Sequence, residues 1–214
     1  MSWDSLPEEI KEHIIQKTEE DFTRVDNHLY VTELTDCIRK AYFERKSPIE
    51  PDFERRFFVY RGKIFHELWA PLFQANDVRV THRLKGVPAI ISGRIDFVKN
   101  GAVYELKTCR TPPAKPREHH IWQVSAYAWM GGYTKAFLVY VSFEPPKIFE
   151  IPLDRAEEIM EELERRAKVL YQALANDVPP EPLGKWEWSC DYCLYREKCE
   201  SEDIAVEPDW DDLG

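Results

Sequence analysis

The sequence predicts a mixed α/β domain closed by a cysteine-bound cap. Three observations lead there. Helical and strand periodicities alternate in the order helices, small sheet, helix, strands, helix. An Asn-Gly pair, Asn100-Gly101, lies between two β-rich runs. Cys190, Cys193 and Cys199 fall within ten residues near the end of the chain. With 214 residues, 43% of them apolar and 32% charged, the chain can bury a sizeable core, and its composition excludes a disordered protein.

Leu6–Phe22 reads as a short helix, with Ser5 as N-cap and Glu8 completing a capping box. A second helix spans Thr32–Arg45 and stops at Ser47-Pro48. A third spans Arg55–Phe73, where Phe58, Ile64, Phe65, Leu68 and Leu72 recur at helical spacing. Strands follow at Val78–Leu84, Ala89–Val98 and Val103–Cys109, then a helix at Glu118–Met130, then strands at Ala136–Phe143 and Ile148–Leu153. Asp154 caps a long helix to about Ala175, with Ile159, Leu163, Leu170 and Leu174 on one face, and the Pro-rich Val178–Leu183 ends it. The chain divides into a helical extension (1–30), a core with its cysteine cap (31–199) and an acidic tail (200–214).

No apolar run approaches the ~18–20 residues that cross a bilayer. The start, Met1-Ser2-Trp3-Asp4, lacks a basic-then-apolar leader, which points to a cytoplasmic protein. In a reducing compartment five cysteines read as metal ligands or core residues rather than disulfides. The net charge is −10, but seven acids and no Lys or Arg fall in residues 200–214. Residues 55–120 hold thirteen Lys/Arg against five Asp/Glu, so a basic middle can meet a polyanion such as DNA.

The sharpest signal is the run Gly93-Arg94-Ile95-Asp96 to Glu105-Leu106-Lys107 around the Asn100-Gly101 turn. A two-residue turn pairs Lys99 with Ala102 and predicts Asp96 opposite Glu105 and Arg94 opposite Lys107. Ile95, Phe97, Tyr104 and Leu106 then share the apolar face. Facing carboxylates repel unless a cation holds them, and a hard divalent ion such as Mg²⁺ or Mn²⁺ suits their oxygens. Lys107, on the same face, can orient a water or stabilise charge developing on a phosphoryl group. A surface hairpin with its acids paired to Arg94 and Lys107 is the plainer alternative.

These residues resemble the PD-(D/E)XK nuclease signature: an acid ending one strand, then Glu-x-Lys on the next, with Gly93-Arg94-Ile95-Asp96 in place of a literal Pro-Asp. Two further matches are to the RecB-like branch. Gly62-Lys63-Ile64-Phe65-His66 resembles its Gly-x-x-x-His helix, and Gln123-Val124-Ser125-Ala126-Tyr127 its Gln-x-x-x-Tyr helix. The resemblance implies a restriction-endonuclease-like core, a small mixed sheet flanked by helices. It implies catalytic roles for Asp96, Glu105, Lys107, Gln123 and Tyr127. His66, Asp96, Glu105 and the Leu106 carbonyl would bind Mg²⁺ or Mn²⁺.

Cys190, Cys193 and Cys199 supply three soft ligands and need a fourth. Cys109 continues the Glu105–Lys107 strand, so Cys37 on the second helix is the choice. One upstream cysteine plus a C-terminal triplet around such a core resembles the CRISPR-associated Cas-four exonuclease family. That resemblance implies an iron–sulfur cluster on Cys37, Cys190, Cys193 and Cys199, usually [4Fe–4S], with [2Fe–2S] or zinc as alternatives that spacing leaves open. It further implies an exonuclease preferring single-stranded DNA, acting in spacer acquisition beside the CRISPR integrase. Stacking by Tyr127 or Trp122 would suit single strands. A homo-oligomer stays open. The rival readings are a non-catalytic iron–sulfur or zinc adaptor that binds DNA or the integrase, and a virus-encoded recombination nuclease of the same fold.

Overall fold

In a computed structural model, residues 5–19, 24–25, 27–184, 186 and 188–201 are described. The elements are α1 (Glu8–Thr18), β1 (His28–Tyr30), α2 (Val31–Leu34), α3 (Ile38–Lys46), α4 (Phe53–Trp69), β2 (Ala75–Arg83), β3 (Ile90–Lys99), β4 (Ala102–Thr108), α5 (Glu118–Gly131), β5 (Lys135–Val141), β6 (Lys147–Ile151), α6 (Ala156–Asn176) and α7 (Arg196–Ser201). Short 3₁₀ turns lie at Ala70–Leu72 and Ser189–Tyr192. Among the described residues no helix is long and apolar enough to cross a membrane.

The predicted order holds, with corrected boundaries. Pro7 rather than Ser5 stands at the N-cap of α1, with no side-chain cap bond; the predicted end of that helix near Phe22 lies outside the described residues. The single second helix is two: α2 and α3, with Cys37 at the N-cap of α3. Asp36 holds that break, its Oδ1 accepting the Cys37 N–H at 2.8 Å and its Oδ2 the Lys40 ammonium at 2.7 Å. Asp52 caps α4 by accepting the Arg55 N–H. Arg155 rather than Asp154 stands at the α6 N-cap. The acidic tail from residue 202 onward lies outside the described residues.

Six strands form one mixed sheet in the order β1-β3-β4-β5-β6, with β2 also on β3. Asn100 and Gly101 both take positive φ (53° and 72°), as a type I′ turn requires, and the rungs Lys99–Ala102, Val98–Val103 and Phe97–Tyr104 form as predicted. The predicted Asp96–Glu105 and Arg94–Lys107 rungs do not form. β2 runs along one edge of β3; the other edge is shared, β1 pairing parallel with Ile90–Ser92 and β4 with Phe97–Lys99. Between them β3 and β4 part, and an opening faces Gly93–Asp96.

The two sheet faces are covered differently. Phe97 stacks on His66 of α4 at 4.6 Å and on Phe73 at 4.4 Å, and α1 packs behind α4. On the other face α5 and α6 seal a core that includes Ile95, Val103, Val124, Leu138, Leu163 and Leu170, each at most 0% exposed. At roughly 25 cal/mol per Å² of apolar surface, such burial is the main favourable contribution to folding.

Candidate active site

The opening between β3 and β4 is where the two faces meet. With no β4 rung there, Asp96 turns its carboxylate into the gap, and its Oδ2 accepts the Leu106 backbone N–H at 2.8 Å. That bond replaces the missing rung. From the α4 side, His66 Nε2 lies 4.0 Å from Asp96 Oδ1. From the α5 side, Gln123 Nε2 donates to Glu105 Oε1 at 2.8 Å, while Lys107 Nζ donates to Glu105 Oε1 at 2.9 Å and to Gln123 Oε1 at 2.7 Å. An open cleft of about 460 Å³ is lined by Gly62, Lys63, His66, Asp77, Arg94, Asp96, Glu105, Leu106, Lys107 and Thr108, among others.

Glu105 is not on a solvent face, as the alternation predicted, but buried at 4% exposure. Burial raises its carboxyl to about 8, Asp96 adds to the rise, and Lys107 opposes it. Burial also pushes the Asp96 carboxyl up, against the pull of Lys107 and the Leu106 N–H. Two buried acids this close cannot both ionise cheaply without a cation.

Two buried atoms at the cleft have no hydrogen-bond partner among the described residues, His66 Nε2 and Glu105 Oε2. Both are donors a divalent ion accepts, and an unpaired buried polar atom otherwise costs about 1–3 kcal/mol. Donor atoms about 2.1 Å from one Mg²⁺ lie about 3.0–4.2 Å apart, which spans the His66–Asp96 separation. The donor set therefore fits such an ion. As the side chains stand, no group of three or more His, Cys, Asp or Glu among the described residues is placed to hold a metal ion, so the ligands must draw together around it.

Tyr127 corrects a sequence expectation. Its ring is 4% exposed, its hydroxyl accepts from Gln123 Nε2 at 3.0 Å, and burial pushes its ionisation far up. No face is left for a nucleic-acid base. Trp122 is half-buried, its Nε1 donating to Glu118 and its ring facing the Arg166 guanidinium at 4.6 Å. Asp77 and Arg94 line the cleft as well, Arg94 Nε lying 3.4 Å from Asp77 Oδ1. Asp77 lies just before the predicted strand Val78–Leu84, outside every motif the sequence offers.

The C-terminal cysteine segment packs near Cys37. The segment after α6 docks on α3: the Ile38 N–H donates to the Leu183 carbonyl, Arg39 to the carbonyls of Pro180 and Cys199, and Trp186 Nε1 to the Thr35 carbonyl. Burial raises the Cys37 thiol, with Asp36 and Cys199 adding to the rise; burial raises Cys193, with Cys190 and Cys199 adding. The Cys109 thiol, just past the end of β4, donates to the Val141 carbonyl at 3.6 Å, and burial raises it.

The pattern of the PD-(D/E)XK nuclease superfamily matches residues 72–200. The chain belongs to this superfamily. By family it is a nuclease of the PD-(D/E)XK type, a class that works with divalent metal ions. It is 27% identical over 211 residues to the CRISPR-associated exonuclease Cas4 of Saccharolobus solfataricus, covering 91% of this chain and 95% of that protein. The crystal structure of SSO0001 superimposes with a TM-score of 0.70 at 24% identity, over 95% of this chain and all of that one. The alkaline exonuclease of Laribacter hongkongensis superimposes with a TM-score of 0.46 at 12% identity, over 75% of this chain and 94% of that one.

Proposed function

We propose that this protein is a Mg²⁺- or Mn²⁺-dependent DNA exonuclease, with single-stranded ends as its substrate, and that it carries a [4Fe–4S] cluster on Cys37, Cys190, Cys193 and Cys199. The observation that carries the reading is the convergence of His66, Asp96, Glu105 and Lys107 on one opening, with buried His66 Nε2 and Glu105 Oε2 left without hydrogen-bond partners among the described residues. The similarity to a CRISPR-associated exonuclease supports a role in trimming DNA before spacer integration, with the integrase as partner.

His66 Nε2, Asp96, Glu105 and the Leu106 carbonyl would hold the divalent ion, which supplies Lewis-acid charge at the phosphodiester. Asp96 is fixed for this by the Leu106 N–H. Gln123 holds both Glu105 and Lys107, so its role is to aim the pair. The Lys107 ammonium stays in the cleft beside the scissile phosphate, where it offsets negative charge developing in the transition state. With Tyr127 and Trp122 engaged in the fold, base stacking falls to exposed aromatics such as Trp188, 43% exposed with its ring 5.2 Å from His119.

The test is cleavage of end-labelled single- and double-stranded DNA with Mn²⁺, with chelator, and with Glu105→Gln. Chelator-sensitive degradation from ends that Glu105→Gln abolishes supports the reading. DNA binding without cleavage by the wild-type chain would favour the adaptor instead.

A further inference from the structure

Asp77 sits at a break in a regular ladder. β2 and β3 pair from Ala75–Val98 to Arg83–Ile90 in one continuous register, and the rung that does not form is the one that would join Asp77 to Asp96. There Asp77 takes φ +52°, a left-handed conformation that a non-glycine residue adopts at a cost. The turn brings its Oδ1 to 3.8 Å from His66 Nε2, which is itself 4.0 Å from Asp96 Oδ1. Asp77 lines the same cleft as Glu105, whose side chain is 5% exposed and whose Oε2 has no hydrogen-bond partner among the described residues.

We propose that Asp77 is a further ligand of the divalent ion, a carboxylate supplied by β2 that the Asp96/Glu105/Lys107 signature does not contain. The inference rests on the reading of the cleft as a divalent-ion site. The Asp77–His66 separation lies within the span that two donors on one such ion occupy, about 3.0–4.2 Å. Three carboxylates then surround the opening, and Lys107 already bonds Glu105 and Gln123. Pairing with Arg94 does not account for Asp77. That guanidinium side chain is 60% exposed, and exposed pairs contribute little.

The experiment is Mn²⁺ binding to the full chain, read by electron paramagnetic resonance of the free ion, together with melting temperature with and without Mn²⁺. The variants are Asp77→Asn, Asp77→Gly, Arg94→Ala and Glu105→Gln. Asn and Gly both tolerate a positive φ, so both should melt at or above the wild-type temperature without metal. Both should bind Mn²⁺ about tenfold more weakly or worse and lose much of the Mn²⁺-induced rise in melting temperature. Arg94→Ala should not weaken binding. Wild-type affinity in both Asp77 variants, while Glu105→Gln loses the ion, would overturn this inference alone. So would an Arg94→Ala loss equal to that of Asp77→Asn, since Asp77 would then act through Arg94. Failure of the wild-type chain to bind Mn²⁺, or indifference to Glu105→Gln, would overturn the divalent-ion reading and this inference with it.

Discussion

Gly93 and Tyr127 compete for one volume. A Cβ on Gly93 would fall 2.8 Å from Tyr127 Cδ1 and closer still to Cε1, and 3.3 Å from the Val80 side chain. Glycine is thus what lets α5 lay its tyrosine against β3 beside the opening. The contact links the Gly-x-x-Asp strand to the Gln-x-x-x-Tyr helix through packing rather than chemistry.

Gly93→Ala should therefore destabilise the fold by about 1–3 kcal/mol, the usual penalty for overpacking. The loss should shrink in a Tyr127→Leu background, because the two changes share one space. Thermal melts of the two single variants and the double variant check this. An unchanged melting temperature for Gly93→Ala would contradict it.

Tyr127→Phe removes the hydroxyl that accepts from Gln123, while Gln123 keeps its bonds to Glu105 and Lys107. About 1 kcal/mol of stability should be lost. Single-turnover cleavage per folded molecule and DNA affinity should stay close to wild type. A large drop in DNA affinity without a change in melting would restore a direct DNA contact.

Glu105 should give stability a distinctive pH dependence. Its folded value, about 8, lies above the ordinary 4.5, so the folded state holds this proton more tightly than the unfolded one. The contribution is present in full below 4.5 and is lost as pH rises through about 8. Without metal, wild type should therefore lose more stability than Glu105→Gln between pH 5 and 8. A bound cation must displace the proton, so Mn²⁺ affinity should climb with pH until about 8. Melting curves and Mn²⁺ titrations across that range decide. Parallel profiles for the two proteins would contradict the account.

The cysteine assignment predicts a brown protein when it is purified without oxygen, containing iron and acid-labile sulfide. Replacing Cys37, Cys190, Cys193 or Cys199 by Ala should bleach it, and Cys109→Ala should not. A site joining residue 37 to residues 190–199 closes a long loop, so its loss should lower stability as well. A colourless protein with one zinc would keep the ligands and refute the cluster.

Much of this was legible in the chain because the signals were local. Asn100-Gly101 fixed three rungs of the hairpin. What failed depended on distant partners. β1 is three residues long and has no periodicity to read, yet it takes the edge of β3 at Ile90–Ser92 that a longer hairpin with β4 would have used. Alternation put Glu105 on a solvent face, but α5 covers it and supplies Gln123. Tyr127 sits one helical turn from Gln123, and spacing alone could not distinguish a ring aimed at DNA from one packed on Gly93. Asp77 matters through a backbone twist that no composition rule flags.

The most direct test of the central claim is the single-turnover rate of Mn²⁺-dependent cleavage of end-labelled single-stranded DNA by Asp96→Asn, Glu105→Gln and Lys107→Ala, each compared with wild type at equal folded fraction. The account predicts a loss of at least about 10²–10³ in each, the scale on which removing one transition-state contact acts. Wild-type rates in all three would contradict it.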